Sequence, residues 1–274
     1  MGLKSTQVSL KTPPTASIQT DMQAKMNPET EPCCPVCGLP GGETVWDGIS
    51  HGRISQWVQC SECRTARETL AHPERRRSMP RPSPLTPDEL HAEVLESDAL
   101  ISRLRTIGYG ESWLRRPNPM PVLMQLGSGW GATLSAADWR GFEPIGVEPH
   151  VEQAEWARSR LGVMVFSAVH EIPVMPTDVI LIEQFSQYDQ PMALLQELIA
   201  RLVPGGLMVI TTPLLDHPWH RARLAEPPWS DPGHSLLFER AGLSLLLIRS
   251  GLMPEHAWHH PTRPGEAIIV ARRG

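Results

Sequence analysis

The chain between residues 122 and 149 permits very few structures. Val122-Leu-Met-Gln-Leu126 is an apolar run that enters the turn Gly127-Ser-Gly129-Trp-Gly131. Ala132-Thr-Leu134 opens a helical stretch, and Ile145-Gly-Val147 is a second apolar run that ends in Glu148-Pro149. Strand, glycine turn, helix and strand in that order make a βαβ unit. Its glycines let backbone N–H groups approach a polar or anionic ligand at a helix N-terminus. Glu148 follows Gly127 by 21 residues, where a carboxylate can accept both hydroxyls of a ribose. A nucleoside cofactor is therefore expected. Because Ala132 completes a Gly-x-Gly-x-x-Gly/Ala spacing, a dinucleotide stays open on these residues alone.

The same alternation continues downstream. Strands are expected at 121–126, 144–148, 163–166, 178–182, 207–211 and 266–271. Helices are expected at 131–140, 151–161, 191–203 and near 235–250. Val179-Ile-Leu-Ile182 and Leu207-Met-Val-Ile210 are apolar at every position, as in strands covered by helices on both faces of a parallel sheet. A further helix begins sharply upstream. Thr86 is its N-cap, Pro87 its first residue and Glu89 the closing member of a capping box, with Leu85 and Leu90 at the staple positions. Its apolar positions 90, 94, 101 and 104 share one face, and Gly108 ends it.

All five cysteines lie at 33, 34, 37, 60 and 63. A disulfide framework would spread them through the fold. Two Cys-x2-Cys pairs instead direct four sulfurs at one tetrahedral ion, so Cys34, Cys37, Cys60 and Cys63 are read as ligands of a structural zinc. Cys33 is spare. Residues 33–70 hold few large apolar groups and need the metal in place of a core. Losing it is expected to unfold that segment and spare the remainder. The domains expected are a disordered tail at 1–31, a zinc module at 32–70, a Pro/Arg-rich linker at 71–85 and an α/β domain at 86–274.

These motifs, in this order, resemble class I S-adenosylmethionine-dependent methyltransferases, and more narrowly a subfamily with an N-terminal Cys-x2-Cys zinc module. Cys34-Pro-Val-Cys37-Gly38 and Cys60-Ser-Glu-Cys63 are similar to that module. Gln125-Leu-Gly-Ser-Gly-Trp-Gly131 is similar to the family's first motif, Gly146-Val-Glu148-Pro149 to its second and Asp178-Val-Ile180 to its fourth strand. Leu194 to Gly206 followed by Val209-Ile-Thr-Thr-Pro213 resembles the fifth. Pro232-Gly-His234 with Phe238, and Gly251-Leu252, resemble the segment before the last helix. The resemblance runs from Cys34 to about Leu252. It implies a Rossmann-like doubly wound sheet of seven strands, the last one antiparallel. It also implies S-adenosylmethionine with its methionine part over Gly127, Ser128, Gly129 and Gly131 and its ribose on Glu148. Ser167, Ala168 and Glu183 would border the adenine and the methionine. The chain departs from the family at three places. Gln125 replaces an acidic residue, Phe185-Ser186-Gln187 replaces a Leu-Glu-His run, and Trp130 fills a position usually held by a small residue.

Two residues are candidates for the chemistry. Histidine ordinarily titrates near neutrality, so His234 is the candidate base, with a role in structuring its loop as the alternative; Tyr188 is expected at the acceptor pocket or in the core. His217, His220, His256, His259 and His260 have no carboxylate at ligand spacing and are read as loop residues. Trp219, Trp229 and Trp258 are read as an apolar lid. The net charge is −5, and residues 119–274 carry 11 Lys+Arg against 16 Asp+Glu. This balance opposes a nucleic-acid footprint there, and a small-molecule or sugar-like acceptor is expected. RNA gripped by the cysteine module and Arg75-Arg76-Arg77 is the alternative substrate. A non-catalytic homologue that binds the cofactor or a protein partner is the alternative outside enzymes. No apolar run reaches the roughly 20 residues a membrane span requires. With no secretory signal, a cytoplasmic protein is expected. The sequence leaves the oligomeric state open.

Overall fold

The computed structural model describes residues 33–50, 53–69, 83–108, 120–218 and 233–274. The expected tail, most of the expected linker with Arg75–Arg77, and Trp219, His220 and Trp229 lie outside these residues. The described elements run β1 (Glu43–Ser50), β2 (Arg53–Gln59), β3 (Ala66–Glu68), α1 (Pro87–Gly108), β4 (Val122–Leu126), α2 (Ala132–Trp139), β5 (Glu143–Val147), α3 (Val151–Leu161) and β6 (Met164–Phe166). They continue with β7 (Thr177–Ile182), α4 (Pro191–Arg201), β8 (Leu202–Pro213), β9 (Leu236–Leu237), α5 (Arg240–Arg249), β10 (Leu252–His259) and β11 (Glu266–Arg273).

Seven strands form one sheet in the order β10-β11-β8-β7-β4-β5-β6. β4, β5, β6, β7 and β8 pair in parallel, and β11 runs antiparallel to both β8 and β10. This is the doubly wound α/β sheet expected from the alternation. Successive strands leave β4 in one direction through β5 and β6, and the chain then crosses to β7 on the other side. The carboxyl end of β4 is thus the topological switch point, where open α/β sheets bind ligands.

The period-two alternation of each strand divides the core into two layers. Leu123, Val179, Leu181, Leu207 and Val209 pack with Val94, Ile101 and Leu104 of α1, Leu134 and Ala137 of α2 and Ala157 of α3. Met124, Leu126, Ile180, Ile182, Met208 and Ile210 face the opposite way, onto Leu195 and Leu198 of α4 and Leu243, Leu246 and Leu247 of α5. The start of α1 is built as its sequence dictates. Thr86 N donates to Glu89 Oε2 at 2.8 Å, and Glu89 N donates to Thr86 Oγ1 at 3.3 Å. Its far side is tied down by Arg140, whose guanidinium donates twice to the Asp98 carboxylate at 2.6 Å.

Two expectations change. The stretch around His256-Ala-Trp-His-His260, read as loop, is mostly strand. Residues 252–259 form β10, an edge strand whose exposed face accepts polar residues and so conceals its period. The helix expected near 235 begins only at Arg240, because Leu236 and Leu237 extend and pair with Arg67 and Ala66 of β3. That pairing closes a second sheet, β1-β2-β3-β9. The cysteine knuckles share the main core as well, since Cys34, Val36, Cys37, Cys60 and Cys63 pack in the same layer as α5. Cys33–Gly274 form a single compact unit. No helix among the described residues is long and apolar enough to cross a membrane.

Candidate cofactor cleft and cysteine cluster

The turn after β4 needs its glycines. Gly127, Gly129 and Gly131 have φ of 74°, 53° and 85°, a left-handed region that costs other L-residues strain. Gly131 is N-cap to α2, and a Cβ there would lie 3.0 Å from Leu161 Cδ1 and 3.1 Å from Ala157 Cβ. It therefore sets the approach of α2 to α3. The amides of Gly127 and Ser128 both donate to Val147 O, at 2.9 and 3.2 Å, which binds the turn to the end of β5. Glu148, the next residue, is 4% exposed. Its Oε2 accepts from Gly129 N at 2.8 Å and its Oε1 from His150 N at 2.9 Å.

A cavity of about 1090 Å³ opens over this switch point. Gly127, Ser128, Gly129, Glu148, Ala168, Glu183 and Tyr188 all line it, together with Ser167, Gln125 and Trp130. Gly131 does not; its place is in packing. Gln125 Oε1, Ser128 Oγ and Trp130 Nε1 are buried polar atoms with no hydrogen-bond partner, concentrated on the floor of the turn. Such atoms cost free energy unless something satisfies them.

The opposite wall comes from two elements of which the sequence marks only Trp258, as part of a lid. α1 contributes Glu93, Glu96, Ser97 and Arg103, and the hairpin between β10 and β11 contributes Trp258, His259, His260, Thr262 and Arg263. The Arg103 guanidinium lies 4.4 Å from the Trp258 ring centroid and joins the two. Arg263 Nη2 donates to Glu183 Oε2 at 3.0 Å, and Thr211 Oγ1 donates to the same carboxylate oxygen at 2.8 Å. Burial opposes the Arg263 charge, but Glu183 and Glu266 outweigh it and hold its pKa above the ordinary value. Burial, then the Arg263 cation, holds His260 below the usual imidazole range, so this ring is neutral beside the guanidinium. Arg263 carries no local signal, and His260 reads only as a loop residue. They reach the cleft only when β11 pairs with β8 and carries its hairpin turn to Glu183 at the end of β7.

Burial, reinforced by the nearby Glu148 and Glu183 carboxylates, pushes the Tyr188 phenol up to about 12. At neutral pH it is a hydrogen-bond donor and not a base. The fold therefore favours the protonated phenol, and its contribution is complete below pH about 10, where unfolded tyrosine is also protonated. That contribution is lost as pH rises from 10 to 12. Absorbance titration at 295 nm should show a tyrosine step near 12 that disappears in Tyr188→Phe.

His234 is not brought to the cavity wall. It is 7% exposed, and its Nδ1 lies 2.7 Å from the buried Ser186 Oγ. His217 packs edge-on against His259 at 4.3 Å. Among the described residues, the group suited to hold a metal ion is Cys34, Cys37, Cys60 and Cys63. Their sulfurs all lie within 4.8 Å of one another, with 3.5 Å between Cys34 and Cys63 and between Cys37 and Cys60. Tetrahedral zinc with Zn–S near 2.3 Å separates its sulfurs by about 3.8 Å, so the donor set fits that ion. The Cys34 thiol is pushed up by its hydrogen bond with Cys63 and by burial, and the Cys37 thiol by burial. A cation is what would make all four thiolates together.

The strand order, with its glycine turn at the switch point, makes a Rossmann-like α/β fold. The mitomycin 7-O-methyltransferase MmcR is similar with a TM-score of 0.50 and 18% identity, over 67% of this chain and 54% of that one. CalS10, an amino pentose methyltransferase from Micromonospora echinaspora, is similar with a TM-score of 0.49 and 16% identity, over 66% and 92% of the two chains. The [4+2]-cyclase SpnF has a TM-score of 0.48 and 15% identity, over 64% and 80%. The chain thus spans about half the length of MmcR. No family model matches the sequence, and none of the curated proteins does.

Proposed function

We propose that the chain is an S-adenosylmethionine-dependent methyltransferase acting on a small-molecule or sugar-like acceptor, with a structural zinc on Cys34, Cys37, Cys60 and Cys63. The observation that carries this reading is the position of Glu148. Its buried carboxylate borders the glycine turn at the switch point and lines a cavity large enough for a nucleoside-sized ligand. Pockets for a single drug-sized molecule run from about 300 to 1,000 Å³, and this one is about 1090 Å³.

When bound, S-adenosylmethionine supplies an electrophilic methyl group on a sulfonium. The residues of the chain supply position. Glu148 accepts the ribose hydroxyls through lone pairs left free by its two backbone donors. Gln125 Oε1 and Ser128 Oγ, otherwise unsatisfied, accept from the amino end of the methionine. Ala168 borders the base. Tyr188 donates from the acceptor side, and the Arg263–Glu183 pair closes the cleft against water. Displacement at carbon needs donor and acceptor held in line, which a walled cleft provides.

Carboxylates of Glu93, Glu96, Glu148 and Glu183 outnumber the guanidinium groups of Arg103 and Arg263 on the lining. Phosphate-rich acceptors such as RNA are disfavoured by that balance. The zinc is a cross-link, because four sulfurs leave it no open coordination position.

Two measurements test the reading. The protein as purified, denatured and analysed by mass spectrometry, should release S-adenosylmethionine or S-adenosylhomocysteine, with one zinc per chain. Calorimetric titration with S-adenosylhomocysteine should give a dissociation constant in the micromolar range, about −8 kcal/mol. Heat from NAD and none from S-adenosylhomocysteine would overturn the assignment. Transfer is then read with labelled S-adenosylmethionine against panels of phenols, amines and sugars.

A further inference from the structure

The wall of the cleft that carries Gln184, Gln187 and Tyr188 is a single turn of 3-10 helix, Phe185–Gln187, and the residues flanking it. A turn this short has almost no stability of its own, so something behind it must hold it. Ser186, fully buried, is the point of attachment. Its carbonyl accepts from Ser235 N at 3.0 Å and from Ser235 Oγ at 3.2 Å, and its hydroxyl meets His234 Nδ1 at 2.7 Å. Phe185 stacks on Phe238, with ring centroids 5.6 Å apart and planes 22° apart. The segment 234–238 therefore clamps the turn from behind on both sides of β9.

That segment belongs to the cysteine sheet. β9 pairs with β3, and Glu68 N donates to Ser235 O at 3.1 Å. β3 in turn follows directly on the second knuckle, where Cys60 N donates to Thr65 O at 2.9 Å and Cys63 Sγ contacts Thr65 Oγ1 at 3.4 Å. Hydrogen bonds, with the short chain from Thr65 to Glu68 between them, thus join the cysteine knuckles to the residues facing the cavity.

We propose that metal occupancy of the cysteine cluster sets the order of residues 184–188, with Ser186 and His234 as positioning residues for the acceptor wall. The inference rests on the cysteines holding zinc, as proposed above. It reverses the expectation that losing the metal spares the α/β domain, because β9 lies in one sheet with the knuckle and in one chain segment with the clamp. A candidate base becomes a strut, which acts on the acceptor through Ser186 and Tyr188.

The test is hydrogen exchange on the full-length protein, which needs neither cofactor nor acceptor. Zinc is counted first; a preparation without zinc sinks the metal reading, and this inference with it. Zinc is then removed by chelation and restored. The amides of Gln187 and Tyr188, bonded to Gln184 O at 3.0 Å and Phe185 O at 3.3 Å, should exchange faster by at least ten-fold or so without zinc. Peptides from α2 and β5 should stay protected, and zinc should reverse the change. In zinc-loaded protein, His234→Ala should produce the same acceleration at 187–188. His234→Asn, whose amide reaches the position of Nδ1, should restore slow exchange there. Unchanged exchange at 184–188 after zinc is gone, or equal loss of protection in α2 and β5, would overturn the proposal. So would equal acceleration in the alanine and asparagine variants.

Discussion

Gly242→Ala lowers the melting temperature by roughly 4–8 °C and loosens the cysteine cluster from the domain, where helix propensity alone would raise stability. Gly242 is the third residue of α5. In an exposed helix, alanine in place of glycine gains about 1 kcal/mol. Here a Cβ on residue 242 would fall on the backbone carbonyl oxygen of Cys63 and lie 3.0 Å from Thr65 Oγ1. The obstacle is backbone, so no rotamer change relieves it. Overpacking of this kind costs typically 1–3 kcal/mol and occasionally more. Because the Cβ falls directly on backbone, the cost lies at the upper end of that range, and subtracting the helix gain leaves a net loss of about 2 kcal/mol, each kcal/mol being worth about 2–4 °C in a domain of this size. Arg249 Nη1, which donates to Cys37 O at 3.0 Å, would lose its partner as the knuckles lift away. The measurement is calorimetric melting of both proteins with zinc content determined before and after. A higher melting temperature for the variant would mean that α5 and the second knuckle are not in contact.

Glu148→Ala abolishes measurable binding of S-adenosylhomocysteine, a loss of at least about 100-fold. The carboxylate does two things at once. It holds Gly129 N and His150 N in the free protein, and it presents its remaining lone pairs to the ribose. Hydrogen bonds to a charged acceptor contribute about 1.5–3 kcal/mol each, so losing two toward the ligand accounts for the expected change. Alanine also removes the acceptor that Gly129 N and His150 N share, which frees the 127–131 turn to shift. Glu148→Gln separates the two effects, since its amide oxygen keeps an acceptor but not the charge. It should bind about ten-fold more weakly than the wild type and melt close to it. Unchanged affinity in the alanine variant would remove the ribose from Glu148 and with it the functional reading.

Much of the scaffold was legible because its signals are local. Val179 to Ile182 and Leu207 to Ile210 read as doubly covered strands, and the structure buries them all. Thr86 and Glu89 announced the start of α1, and the bonds between them are present. The turn at 127–131 was recognisable because only glycine adopts its three positive φ angles at low cost. The four paired cysteines stood out by spacing, and their sulfurs converge. The cleft was half legible. Its floor, from Gln125 to Glu148, lies within one βαβ unit, whereas its far wall joins α1 to the β10–β11 hairpin across some 160 positions, as the contact between Glu96 and Thr262 shows. Ser186 and His234 carried no pattern that told a strut from a base.

What the sequence by itself determined is the part of this protein that short-range stereochemistry and hydrophobic period can specify: the strands, most helix limits, the glycine turn with its carboxylate, and the two cysteine knuckles. Only the tertiary structure decided what those parts face. It placed Leu236 and Leu237 on β3 and not in a helix, set α5 against Cys63, and brought Arg263 to Glu183. Pairing between distant segments depends on which unpaired backbone edges and apolar faces remain after the rest has folded, and no window of neighbouring residues contains that information.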